Sequence, residues 1–389
     1  MTNSRVLISG AGIGGPALAF WLAGRGFQVT VVERAGGLRE AGYKVDVRGS
    51  ATEVLRKMGL LAACQAADTG MRRITYVKSN GGPIAALPAD LLMGRRGDDL
   101  EIMRWDLSRI LHDATADRVE YVFGDAVDTL QDGPDGVDVT FEKGAPRRFD
   151  YVVGADGLHS ATRRRVMGET PLNHLGAYIS IYTVPNLLGL EREEVMYFRP
   201  GRLVFAYAME PDQPARVGLT FAAPRLDVDR RDVAGQKALV REAFAGQGWR
   251  VPDFLDAMDD APDFYFDSMS QVELPSWSSG RVALLGDAAH CPAPASGQGT
   301  SLALVGAYLL GRHLGTPGGF AAYEREMRPY AEKNLAFGRK MAKDMVPGGR
   351  LSIAFRNYGM RTLKYHPRKE QMIDRILAPM HEAANAITI

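Results

Sequence analysis

The sequence predicts an α/β protein. Its expected parts are a Rossmann-like dinucleotide-binding unit, an inserted and mostly antiparallel β-sheet, and a helical C-terminal segment. Three observations carry this. The chain opens on a strand, a glycine turn and a helix, Val6-Leu7-Ile8-Ser9 followed by Gly10-Ala11-Gly12-Ile13-Gly14-Gly15. Two further glycine segments, Gly154-Ala155-Asp156-Gly157 and Gly286-Asp287-Ala288-Ala289-His290, each follow a short apolar run. Between these two, residues 171–273 turn to short runs rich in Tyr, Phe, Met and Val.

At 389 residues the chain holds two domains or one large composite one. With 46% hydrophobic and 24% charged residues and a net charge of +1, nothing points to nucleic acid or a membrane surface. The arginine clusters Arg72-Arg73, Arg95-Arg96, Arg163-Arg164-Arg165 and Arg230-Arg231 are separated and read as solvated faces and helix ends. Two cysteines, Cys64 and Cys291, argue against a disulfide framework, and no metal-ligand spacing is visible. The apolar stretch 5–24 is interrupted by Gly10, Gly12, Gly14, Gly15 and Pro16, so it reads as neither leader nor spanning helix. The expectation is a cytoplasmic enzyme with a small-molecule substrate, no metal, no nucleic-acid or membrane partner, and a monomeric or weakly homodimeric state.

In the opening unit, Gly10 lets the chain turn, Gly12 lets backbone approach a pyrophosphate, and Gly15 lets the helix pack on the strand. The helix through Pro16–Gly24 points its partly positive N-terminus at the phosphates. A second strand, Gln28–Val32, ends at Glu33, followed by Arg34. A carboxylate there accepts from both ribose hydroxyls of an adenosine and repels a 2′-phosphate, so the site is expected to hold FAD or NAD.

Tyr43–Arg48 alternates as a strand, and Gly49–Gly59 reads as a helix with Arg48 at the junction. Arg48 is either a helix-start surface charge or a residue turned toward the site. Ile74–Lys78 and Ile84–Leu87, joined by Ser79-Asn80-Gly81-Gly82, form a hairpin that breaks the α/β alternation. A helix is expected from about Ile102 to Ala114, with Asp106 as its N-cap and Arg104 within reach of a cofactor. Short strands fill Val119–Val153, split at Gly133-Pro134-Asp135-Gly136. After Asp156-Gly157, Ser160 caps a short helix carrying Arg163.

Strands over Ala177–Val184, Val195–Phe198, Leu203–Met209, Arg216–Phe221 and Phe264–Val272, with helices near 232–246 and 252–259, suggest an antiparallel sheet capped by helices. The absence of an obvious charged anchor there favours a bulky apolar substrate. The strand Arg281–Leu285 ends at Gly286-Asp287, where a carboxylate can hold a sugar-like chain. The loop Pro292-Ala293-Pro294-Ala295-Ser296-Gly297-Gln298-Gly299 then feeds a helix to Leu314. Its N-terminus offers unpaired N–H groups suited to a reduced flavin anion. His290 and Cys291 read as loop-shaping and packing residues. A helix over Phe320–Met345 and two more helical stretches complete the chain.

Taken together, the three glycine segments resemble those of the single-component FAD-dependent aromatic hydroxylases of the para-hydroxybenzoate hydroxylase type. The chain is most similar to the branch of tetracycline-inactivating and polyketide-modifying monooxygenases. The resemblance covers about residues 4–315, continues more weakly beyond, and implies a glutathione-reductase-like FAD-binding fold. It implies that Gly10, Gly12, Gly15 and Glu33 serve the ADP half of FAD, that Gly14, Arg34 and Arg104 also contact the cofactor, and that Asp156 and Gly157 serve both FAD and NAD(P)H. Gly286 and Asp287 match the segment at the ribityl and pyrophosphate region. Pro294, Gly297, Gln298 and Gly299 match the loop beside the isoalloxazine, with Arg48 and Pro294 the flavin-side candidates.

The pattern departs where relatives carry a second proline, an Asn and an acid; here these places read Ala293-Pro294, Thr300-Ser301 and Gly306. The implied chemistry is reduction of FAD by NADPH or NADH. Insertion of one atom of O2 into an aromatic or polycyclic substrate follows, through a C4a-hydroperoxyflavin. Baeyer–Villiger insertion, epoxidation, or a non-catalytic FAD-binding role are the alternatives. The expected division is a FAD-binding domain of 1–70, 98–170 and 274–315, a substrate domain of 71–97 and 171–273, and bridging helices over 316–389.

Overall fold

Five apolar runs become parallel neighbours in one sheet. The computed structural model describes residues 4–38, 42–363 and 365–389. Its six-stranded sheet runs in the order Ser278–Ser279, Val282–Leu284, Tyr151–Gly154, Arg5–Ser9, Gln28–Glu33, Glu120–Phe123. Only the first pair is antiparallel. Val6, Leu7, Ile8, Val152 and Val153 are fully buried, as expected of parallel strands covered on both faces. The register sets Ser9 opposite Gly154, and Gly154 opposite Leu284. The three glycine loops therefore leave the sheet at one level, from the carboxyl ends of adjacent strands, where α/β folds bind nucleotides.

The helix Gly14–Gly24 covers one face and packs against the helix Gly299–His313; Leu18, Leu22, Leu309 and Leu310 are buried between them. On the other face, a ribbon of Val127–Gly133, Gly136–Phe141 and Arg147–Phe149 buries Val137, Val139 and Phe149 against Leu7, Val32 and Val152.

A seven-stranded sheet has the order Tyr265–Gln271, Asn173–Val184, Ala215–Ala222, Arg202–Ala208, Glu193–Arg199, Arg73–Val77, Pro83–Pro88. It is antiparallel except where Glu193–Arg199 meets Arg73–Val77. The early hairpin thus joins strands more than a hundred residues away. Helices Val233–Phe244 and Val251–Ala257 cover this sheet with Val240, Phe244 and Phe254.

One expected boundary is corrected. Ile102 and Met103 do not start a helix; Leu100–Met103 is a strand paired antiparallel with Lys44–Val47. The helix begins at Arg104, and Met103 is its N-cap, without a side-chain cap. Asp106 lies inside the first turn, where its charge still favours the helix dipole, and it pairs with Arg109. Short helices at Leu61–Ala66 and Ala89–Met93 carried no legible signal.

The long helix Gly319–Met345 joins the parts. A Cβ on Gly338 would lie 2.0 Å from the Pro292 carbonyl oxygen, so only glycine lets this helix cross the late loop. Buried Gln271, at the end of its strand, donates Nε2 to the carbonyls of Pro292 (3.0 Å) and Leu335 (2.8 Å). Asn334 Nδ2 donates to Ala383 O at 3.1 Å and ties down the last helix, Lys369–Ala384. Among the described residues no helix is long and apolar enough to cross a membrane.

Candidate functional site

Backbone crowding dictates the first loop. Gly10 has φ +111°, and a Cβ there would meet the Ala155 carbonyl oxygen at 2.5 Å; one on Gly15 would meet Gly10 O at 2.0 Å. These glycines let the turn, the helix and the second loop touch. A Cβ on Gly12 meets only the Arg104 guanidinium, at 3.4 Å, so this glycine opens space instead. The helix Gly14–Gly24 has no side-chain cap and no acid in its first turn, so its leading N–H groups are left for an anion. Glu33 accepts from Ala11 N and Ala35 N, both at 2.9 Å, which fixes its carboxylate over the glycine turn.

Asp156 does not reach outward. Its carboxylate accepts from Ser160 Oγ (2.5 Å), Thr162 N (2.9 Å) and Thr162 Oγ1 (3.0 Å). It holds the loop and the start of the helix Ala161–Met167, which Ser160 caps as expected. Gly157, with φ +80°, turns this loop, and a Cβ there would meet nothing within 4 Å.

Arg163, read from sequence as a solvated charge, is buried. It donates to Ala288 O (2.9 Å) and Leu158 O (2.7 Å), pinning the second loop to the third. His159 Nε2 lies 3.0 Å from both carboxylate oxygens of Asp267, a pairing between segments with no sequence signal.

In the third loop Gly286 (φ +63°) turns the chain and Asp287 starts a short helix to His290. Burial raises the Asp287 carboxyl above the ordinary carboxylate range, against the Cys291 thiol contact and the Arg104 charge. Burial likewise pushes the Cys291 thiol well up, so it is no nucleophile. His290 stacks edge-on to Trp277 at 4.7 Å, and burial lowers its pKa to about 4, so it is neutral and structural.

Pro294–Ser296 form one 3₁₀ turn ending at Gly297 (φ +63°), and Ala293 sits at φ +72°, ψ 150°, a region almost reserved for glycine. Gln298 is 0% exposed, and among the described residues neither its Oε1 nor its Nε2 has a partner. Gly299 opens the next helix, which also lacks a side-chain cap. A buried orphaned amide beside free helix N–H groups fits a polar, partly anionic group lying against this loop.

Arg48 is 2% exposed, so it is no surface charge. It donates to Asp46 Oδ1 (2.9 Å) and Met93 O (2.8 Å), and its backbone N–H donates to Ser301 Oγ (3.2 Å). Ser301 thus fastens the strand–helix junction to the late helix. Glu194 gives the seven-stranded sheet a buried charge that the sequence did not reveal, neutralised by Lys44 at 2.6 Å.

A cleft of about 760 Å³ unites Gly10, Gly12, Glu33, Arg34, Arg104, Asp156 and Gly157. Arg104 has no side-chain hydrogen bond or ion pair among the described residues, while Arg34 pairs with Glu142 at 2.7 Å. Arg164, Arg165, Arg230 and Arg231, read as ordinary solvated charges, line the same cleft. A smaller hollow of about 300 Å³ beside Arg5, Gln28 and Arg147 lies at the amino ends of the strands, the wrong end for a nucleotide.

The comparisons with known proteins agree with this geometry. The family described as "FAD binding domain" matches residues 3–344. The chain belongs to this family and is a flavin-dependent monooxygenase. It is 40% identical over 342 residues to a flavin-dependent monooxygenase of an unknown prokaryotic organism, covering 86% of this chain and 89% of that one. It is 34% identical over 394 residues to a flavin-dependent monooxygenase of Legionella longbeachae serogroup 1 (strain NSW150), covering 100% and 98%. Among solved structures it is similar to tetracycline destructase Tet(51), with TM-score 0.87, 34% identity and 99% of each chain covered. The glycine cradle, the two uncapped helix starts and the orphaned Gln298 amide of this monooxygenase fit FAD.

Proposed function

We propose that this flavin-dependent monooxygenase transfers one oxygen atom from O2 to a polycyclic aromatic substrate of tetracycline or polyketide type, with NADPH or NADH as reductant. The observation that carries the reading is full-length similarity to tetracycline destructase Tet(51). In this reading Gly10, Gly12, Gly14, Gly15, Glu33 and Arg104 hold the ADP half of FAD, with Arg34 at the rim. The Asp156-Gly157 and Gly286-Asp287 loops line its middle, and Pro294, Gly297, Gln298 and Gly299 flank the ring. Bound there, FAD supplies two-electron redox chemistry and oxygen activation.

The residues do the rest. The helix start at Gly299 and the Gln298 amide stabilise negative charge at the ring. The buried loop excludes water. Arg48 acts through Asp46 and Ser301 to fix the loop. The seven-stranded sheet, from 71–97 and 171–273, faces the substrate, and the helices over 316–389 bridge it to the FAD-binding part (1–70, 98–170 and 274–315). Arg164, Arg165, Arg230 and Arg231 supply positive charge for the nicotinamide dinucleotide's phosphates.

The test is anaerobic flavin reduction by NADPH with and without tetracycline, followed by product mass in air. The expected result is acceleration by roughly tenfold or more, the size of an ordinary binding coupling, and a product heavier by one oxygen atom. Equal rates with every polycyclic phenol tried, or hydrogen peroxide as the only oxygen product, overturn the reading.

A further inference from the structure

The helix Arg350–Leu363 packs by one side only. Leu363 is buried against Leu87 and Ile373, and the Arg356 guanidinium lies 4.2 Å over the Phe198 ring and donates to Asp344 O at 2.6 Å. Those contacts fix the helix about its axis. The opposite face carries Leu351, Phe355 and Tyr358, spaced four and three residues apart, at 87%, 80% and 68% exposed. Single exposed apolar residues need no explanation, but three large ones aligned on one helical face do.

The charge of this segment is one-sided too. Residues 350–369 contain Arg350, Arg356, Arg361, Lys364, Arg368 and Lys369 and no Asp or Glu. Over the whole chain 47 basic residues balance 46 acidic ones, so this stretch is a local departure from neutrality. A convex apolar ridge with aromatic tips, set in a basic segment, has the chemistry of an interfacial amphipathic helix. We propose that the Arg350–Leu363 helix docks this enzyme onto anionic lipid bilayers, with Leu351, Phe355 and Tyr358 entering the headgroup boundary and the exposed Arg350, Arg361 and Arg368 meeting lipid phosphates. A second copy of the chain fits worse. A two-fold contact through this face sets each basic segment against its twin, with no acid inside residues 350–369 to offset the repulsion. The chain lies on the surface, since no described helix is long and apolar enough to cross.

The experiment is flotation of the FAD-loaded protein with vesicles of phosphatidylcholine alone or mixed with phosphatidylglycerol, at low and high salt. The expected bound fraction is roughly tenfold larger on the anionic vesicles, falling with salt. The double variant Leu351→Asp, Phe355→Asp is expected to lose that binding by about tenfold or more while keeping its flavin absorbance, because both side chains point into solvent. No flotation with anionic vesicles overturns the proposal. So does equal binding to both vesicle types, or binding unchanged in the double variant. A concentration-dependent dimer that the double variant dissociates, without vesicle binding, overturns it and assigns the face to self-association.

Discussion

Glu33 shows how much one side chain decides. Its carboxylate is held by two backbone N–H groups over the glycine turn, which leaves its remaining lone pairs for a ribose. Glu33→Arg removes the acceptor and crowds the turn. The expected outcome is mostly apo protein, read as flavin absorbance per protein; normal loading would remove the adenosine assignment. His290 carries a prediction of another kind. Burial penalises the cation and lowers its pKa from the ordinary 6.5 of a histidine to about 4 in the folded protein. The unfolded chain therefore takes up a proton between these values while the folded one does not. Stability is full above pH 6.5, declines as pH falls toward 4, and levels off below. The loss is about 3 kcal/mol for this one group. Urea unfolding at pH 7.5 and pH 4.5 checks it, and His290→Gln is expected to flatten the difference.

At the scale of the element, the second glycine loop and the helix Ala161–Met167 form a self-contained turn. Asp156 and Ser160 together satisfy the N–H groups of Thr162 and Arg163. Asp156→Ala strips two hydrogen bonds from Thr162 and one from Ser160. The expected cost is about 1–2 kcal/mol with weaker FAD retention, measured as a lower unfolding midpoint and faster flavin loss on dilution. Asp156→Asn, which keeps an acceptor oxygen, is expected to recover part of it. The sequence placed this turn correctly, because Asp-Gly followed by Ser at an N-cap is local chemistry. It misplaced the start of the Arg104–Asp113 helix, because the fate of Ile102 and Met103 depended on pairing with Val45 and Lys44, far earlier in the chain. An apolar pair at a strand–helix junction has no period of its own to read.

For the whole molecule, the long helix and the late loop are joined through Gln271, whose amide bridges Pro292 and Leu335. Gln271→Leu leaves two buried carbonyls without that donor. A loss of about 2–3 kcal/mol is expected, and flavin release at lower temperature in a thermal scan. A drop in stability with flavin release unmoved would separate the late loop from the long helix. The net charge of +1 conceals two segregated basic regions, the rim of the cleft and residues 350–369, because a sum over the chain carries no positions. By itself the sequence determined the three glycine loops, the strand–turn–helix unit, the acid at Glu33 and the switch to an antiparallel sheet. All of these rest on turn chemistry and periodicity within a few residues. The tertiary structure alone decided that Arg163 is buried against Ala288, 125 residues away, and that Arg48 is fastened to Ser301 across 253. It also decided that Asp156 holds its own loop and that Gln298 is left unpaired among the described residues. The reason is physical: burial and hydrogen-bond partnership belong to neighbours in space, and a guanidinium or carboxylate carries no mark of which distant backbone will meet it.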